Sequence, residues 1–211
     1  MIVCVGIDPS FNSTGICLQY YNDDNIKIKE NFILIKPNKL TKKEIQIDSK
    51  SIDFEYVLYQ KINIAEYKDN NIDYEYYKTI NIINLANTIK DVIKEYCKNP
   101  EIQEIYIVIE GISYGSTLRT KSIFDLAGLN YIIRNKFINI YDDENRIKLN
   151  IVPPTHIKKF ATGKGNANKD RIINIFSVSH PKLVSEIGKI DDLADAYYMC
   201  CYAKELYKEK R

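Results

Sequence analysis

The stretch VCVGIDPSFNSTGICL, Val3 to Leu18, decides how this chain is read. Its first apolar run, Val3 to Ile7, stops at Asp8, and Pro9 follows at once. A second apolar run opens at Gly15 and continues to Tyr21. Two buried strands joined by a turn of Pro, Ser and Asn explain the pattern. An ionisable acid then stands at the mouth of a buried strand, where burial without a partner is costly.

Outward from that stretch, IKIKENFILI (Ile26 to Ile35) alternates and predicts a third strand. Three short strands linked by tight turns predict an antiparallel meander. QEIYIVIE (Gln103 to Glu110) repeats the opening motif, an apolar run ending on an acid. Ile147 to Val152 reads as a further strand, closed by Pro153 and Pro154. Apolar residues at Ile82, Leu85, Ala86, Ile89, Val92, Ile93 and Tyr96 have helical spacing over 80–96, and Pro100 is a stop signal. Helices are also expected over 121–137, 168–176 and 191–206. The late strands alternate with helices, so they are expected to be parallel and covered on both faces. The expected fold class is α/β: a mixed five-stranded sheet, three antiparallel strands and then parallel ones, flanked by helices. The segment Pro37 to Tyr77 is polar and Asn-rich yet carries Phe54, Tyr56, Val57, Leu58 and Tyr59. It reads as an insertion in a single domain spanning 1–211, with room for one short strand.

A chain of 211 residues is long enough to bury a sizeable core. It holds no apolar run of about 18 residues, so no membrane span is expected. Its first residues lack the basic and apolar regions of a secretory signal. Five cysteines show no CxxC and no regular spacing, which argues against zinc and disulfides and for reduced thiols in an intracellular protein. The net charge of +2 excludes little, but its distribution is uneven. PPTHIKKFATGKGNANKDR (Pro153 to Arg171) carries Lys158, Lys159, Lys164, Lys169 and Arg171 against one acid, Asp170. That excess fits an anionic partner, and it also fits a solvated loop.

Sites in open α/β sheets form outside the strand ends. Asp8 and Glu110 each end an apolar strand, and they converge if those strands are neighbours. KIDDLADAYYMC adds Asp192 and Asp195, three residues apart on one helix face, with Asp191 rotated off it. Four converging carboxylates repel one another and hold protons unless a cation compensates. Oxygen-only ligands select hard ions such as Mg²⁺, with Mn²⁺ as a substitute. Two such ions roughly 3.5–4 Å apart can activate water and stabilise the leaving oxygen of a phosphodiester. Each acid alone reads equally well as a cap, and Asp192 near a helix start is favoured by the dipole without any function.

GIDPSFNSTGICL resembles the first motif of the RuvC-like Holliday junction resolvases, members of the RNase H-like superfamily. IVIEG resembles the second motif, IKKFATGKGNANK the basic loop, and DDLADAYYMC the final helix. The four occur in the family's order. The resemblance implies that Asp8, Glu110, Asp192 and Asp195 are metal-binding catalytic acids holding two ions per site. It implies that Lys169 assists at the scissile phosphate. It also implies that Lys158 does the same or binds backbone, with Lys159 and Lys164 in the same basic loop. Gly163 and Gly165 would let that loop approach DNA. In ISYGSTLRTKS, Tyr114 would stack on a base of an opened junction, and Arg119 and Lys121 would contact phosphates. The long insertion resembles viral or phage-type relatives, which would place the protein at sites of viral DNA replication in a host cell. The implied partners are branched DNA, four-way junctions above all, and a second copy of the chain. The homodimer would form along the helix 121–137, where Gly128 would permit close approach, although packing within the chain explains that glycine as well. The implied reaction is paired, symmetric hydrolysis leaving 5′-phosphate and 3′-hydroxyl ends.

Three other functions fit parts of the sequence. DPSFNSTG is similar to the phosphate loop of the actin and sugar-kinase ATPases, but those need a second Gly-rich loop, and IEGISYGS is a poor match. A binding module that no longer cuts would gain nothing from four repelling carboxylates. A nuclease acting mainly on other branched DNA, or on RNA, fits the same residues.

Overall fold

The computed structural model describes residues 1–47, 52–112, 120–144, 146–188 and 190–210, leaving aside the side chains of 120–122 and 139–144. Six strands form one sheet: β1 (Ile2–Asp8), β2 (Thr14–Tyr21), β3 (Lys27–Pro37), β4 (Phe54–Tyr59), β5 (Glu104–Glu110) and β6 (Ile147–Val152). Their order is β4-β3-β2-β1-β5-β6. The first three pair antiparallel, and β5 and β6 run parallel to β1. The expected count of five strands is corrected to six. The sixth is FEYVLY, from within the 37–77 segment, and it pairs parallel to β3 at the sheet edge. Only Phe54 and Tyr59, at its two ends, are buried, so its pattern is too weak to declare a strand.

The helices are α1 (Lys42–Ile45), α2 (Asn71–Tyr96), α3 (Thr120–Glu144), α4 (Pro154–Thr162), α5 (Lys169–Ser179), α6 (Pro181–Ile187) and α7 (Asp191–Glu209). A 3-10 turn spans Ile64–Tyr67. α2 starts well before the expected Ile80. The Asn70 side chain caps it, accepting from the N–H groups of Ile72 and Asp73. Its burial begins only at Asn81, so the polar first turns carry no periodic signal. The first half of the basic segment 153–171 is α4, which places Lys158 and Lys159 on a helix rather than in a loop. Pro154 occupies its first turn, where a missing N–H costs nothing. Gly163 ends it in the left-handed region (φ 77).

Strand alternation sorts the core into two layers. Val3, Val5 and Ile7 of β1 point to α2 and α3, together with Ile105, Ile107 and Ile109 of β5. Cys4 of β1 and Tyr106 and Val108 of β5 point to the layer of α4, α5, α6 and α7. The same parity turns Asp8 and Glu110 toward α7.

Two glycines let α7 lie against the sheet. A Cβ on Gly6 would stand 1.9 Å from the Ala196 carbonyl oxygen and 2.4 Å from the Cys200 nitrogen. A Cβ on Gly15 would stand 2.1 Å from the Asp192 carbonyl oxygen. Only residues without a side chain allow that contact. The α5–α6 corner is pinned separately. His180 Nε2 lies 3.0 Å from Glu30 Oε2, and its ring stacks on Phe176 with centroids 4.5 Å apart. Burial raises the Glu30 carboxyl, but bonds from His180, Lys27 and Gln19 outweigh it and hold the pKa at about 2.

Candidate active site

Asp8 is the last residue of β1 and pairs in register with Gly15. Gly15 is the residue that abuts the Asp192 backbone. One glycine therefore sets Asp192 directly over the strand beside Asp8. Glu110 ends β5, one residue beyond the Ile7–Ile109 pair of the parallel ladder. Asp191 and Asp192 open the first turn of α7, and Asp195 follows one turn later. Two strand ends and one helix start thus bring the four predicted acids to the same end of the sheet.

Their charges act on one another. Burial pushes the Asp8 carboxyl well above the ordinary carboxylate range, and the charges of Glu110, Asp195 and Asp192 push it further. Burial and then Asp195 push Glu110 up to about 7, against the opposing pull of Lys158 and Lys169. Burial lifts Asp195 to about 6; Lys169 opposes the rise and Asp192 adds to it. Among the described residues no three His, Cys, Asp or Glu side chains are packed into a ready-made metal cage. The acids are near enough to shift one another's titration without forming a closed ligand set. As donors they are oxygen-only, half-buried and mutually repelling, which is the chemistry that suits a hard divalent cation.

The basic residues divide. Lys169, at the start of α5, lies 3.0 Å from Asp191 Oδ2. Burial lowers its pKa, but the bond to Asp191 and the fields of Asp195 and Asp192 leave it raised overall. Lys158 acts on Glu110 and Asp195 from α4. Lys159 and Lys164 are exposed at the end of α4 and in the turn after it. Arg171 donates to the Thr162 carbonyl at 3.2 Å and ties that turn to α5. Tyr114 and Arg119 lie outside the described residues, and Lys121 sits in α3 with its side chain outside them. Behind Glu110 a cavity of about 290 Å³ is lined by Pro9, Ile112, Leu126, Asn130 and Lys158. Asn130 donates to the Glu110 carbonyl at 2.8 Å and so braces the end of β5.

The strand order, with two strand-end acids facing one closely packed helix, decides what the chain is similar to. The Thermus thermophilus RuvC structure superposes with a TM-score of 0.51 at 10% identity, covering 99% of this chain and 96% of that one. This is the RuvC fold. T. thermophilus RuvC in complex with Holliday junction substrate gives the same TM-score, 0.51, at 12% identity, covering 100% of this chain and 96% of that one. Fowlpox virus resolvase in complex with substrate Holliday junction DNA aligns at 0.47 and 13% identity over 97% of this chain and 99% of that one, too loosely to carry weight. No family model matches the sequence, and no curated protein does.

Two features of the site within this RuvC fold escape sequence reasoning. The Gly15 contact is a tertiary one. The Asp191–Lys169 pair joins two helices, although Asp191 falls off the face shared by Asp192 and Asp195. Away from the site, Gly128 faces Ile82 of α2, whose Cδ1 is 3.7 Å from the position of a Cβ, which fits packing within the chain.

Proposed function

We propose that the protein is a divalent-metal-dependent endonuclease that resolves four-way DNA junctions by paired phosphodiester hydrolysis. The reading rests on one observation: four carboxylates and two lysines share the carboxyl end of β1 and β5 in a RuvC fold. T. thermophilus RuvC bound to a Holliday junction substrate supports branched DNA as the partner.

Asp8, Glu110, Asp192 and Asp195 would hold Mg²⁺ or Mn²⁺, two ions per site. When bound, such ions supply an activated water and stabilise the leaving oxygen. The chain supplies the rest. Glu110, raised to about 7, is partly protonated near neutrality, and Asp195, raised to about 6, less so; both would be fully ionised when holding a cation. Lys169 presents its ammonium to the charge that grows on the phosphate. Lys158, Lys159 and Lys164 hold the backbone in register. The products carry 5′-phosphate and 3′-hydroxyl ends.

Two matched nicks call for two sites related by a two-fold axis, which a homodimer supplies. Phe124, Tyr131 and Ile138, spaced seven residues apart on α3, are 72%, 60% and 53% exposed. That apolar stripe supports α3 as the surface for the second copy.

A labelled four-way junction, incubated with and without Mg²⁺ beside a linear duplex, tests the reading. Paired nicks are expected on the junction alone and only with the cation. Asp8→Asn or Glu110→Gln should slow cutting on the order of a thousandfold and leave junction binding intact. DNA that is bound but uncut by the parent protein under Mg²⁺ would identify a binding module instead.

A further inference from the structure

The 37–77 segment does more than add an edge strand. Between β4 and the 3-10 turn, Gln60 to Ile62 are fixed from both sides by asparagines. Asn38 Oδ1 accepts the Lys61 N–H at 2.8 Å. Asn81, buried on α2, accepts the Ile62 N–H at 2.7 Å and donates to the Ile62 carbonyl at 3.0 Å. Asn84 donates to the Gln60 carbonyl at 3.1 Å. A buried amide is costly unless both its groups are paired, and Asn81 satisfies that by gripping both backbone groups of this one residue.

The clamped residue reaches toward the site. Asp8, Gly15, Leu34 and Tyr56 lie at one level across four strands. Pro37 and Tyr59 stand three residues beyond it, so β3 and β4 overshoot Asp8 by about 10 Å. The Tyr59 hydroxyl donates to the Phe11 carbonyl at 2.6 Å, tying β4 to the loop that leaves Asp8. Lys61 Nζ donates to Asn12 Oδ1 on that loop at 3.4 Å. The side chain is half-buried, and burial presses its pKa below the ordinary lysine value. Among the described residues no carboxylate pairs with it. Lys36, on the adjacent β3, is by contrast paired with Glu44. A partly desolvated ammonium without a counter-charge gains most from an anion supplied from outside.

We infer that Lys61 anchors a backbone phosphate of the DNA strand entering the site, and that β4 and the clamped residues after it form the wall that holds this anchor in place. The inference rests on the nuclease reading and adds a contact surface to it. Asn12 occupies one of three ammonium donors, which leaves two for phosphate oxygens.

The test is the salt dependence of binding to a labelled four-way junction by Lys61→Gln, Lys61→Arg and the parent, with single-turnover cleavage measured at saturating protein. One lost phosphate contact should weaken Lys61→Gln about fivefold near physiological salt and flatten the slope of log affinity against log salt by about one. Lys61→Arg should retain both, and saturated cleavage rates should match the parent. If the parent binds and cuts but Lys61→Gln matches its affinity and slope, the anchor is overturned and the nuclease reading stands. If the parent shows no salt-dependent binding to any DNA, both fall.

Discussion

α7 and α3 lie on opposite faces of the same sheet and meet it in different ways. α7 touches the strands backbone to backbone, through Gly6 and Gly15. α3 rides on side chains: Leu129, Ile133 and Phe137 are buried beneath it, and its outer stripe is exposed. Side-chain contacts can adjust by rotamer changes, whereas backbone contact leaves no slack. The helix without slack carries Asp192 and Asp195. The helix with slack carries the surface assigned to a partner copy. The sheet face that must position chemistry is therefore the one closed most tightly.

The sharpest test is the same substitution on each face. Gly15→Ala should cost about 3 kcal/mol or more and abolish cutting, because the new methyl collides with the Asp192 carbonyl. Denaturant unfolding and the junction assay measure the two losses. A variant that folds and cuts normally would show that α7 floats as α3 does.

Next in size is the response of the α7 end to pH. Glu110 and Asp195 titrate at about 7 and about 6, above their ordinary values. The folded state then binds more protons than the unfolded one. Their contribution to stability is fully present below about pH 4 and is lost as pH rises through 6 to 7. The thermal midpoint of metal-free protein should fall across that window. Asp195→Asn or Glu110→Gln should flatten the fall, and Mg²⁺ should offset it by stabilising the charged carboxylates.

A smaller effect is expected at Asp191, which holds Lys169 from the α7 side. Asp191→Ala should slow single-turnover cutting about tenfold, or about 1.4 kcal/mol. Junction affinity should hold or rise, because a negative charge has left the DNA face. Asp191→Glu should recover part of the rate. Loss of affinity in step with rate would make the pair a simple structural brace.

The smallest effect has the opposite sign. Gly128→Ala on α3 places its methyl in ordinary contact with Ile82 and relieves the helical penalty of glycine. It should stabilise the fold by up to about 1 kcal/mol, read by the same unfolding measurement.

Much of this comparison is legible in the chain itself, unevenly. β1, β2, β3, β5 and β6 are apolar runs with turn residues at their ends, and their bounds fall within two residues of the expected ones. β4 is legible only as room for one short strand within 37–77, because an edge strand buries little. α4 is hidden because Pro154 reads as closing β6 although it stands in a first helical turn, and α6, seven residues long, also opens on a proline. The strand-end acids stand out because a charge that closes an apolar run is conspicuous. Gly15, Asp191 and Lys61 do not, because each has its meaning in a residue distant along the chain.

Local order along the chain determined five of the strands, most of the helices and which carboxylates end them, since burial periodicity and strand-end charge are properties of neighbouring residues. Tertiary structure alone decided that Gly15 sets Asp192 beside Asp8, that Asp191 holds Lys169, and that Lys61 is clamped over the loop leaving Asp8. Those contacts join residues from separate elements, and only the packing of helices on the sheet brings them within bonding distance.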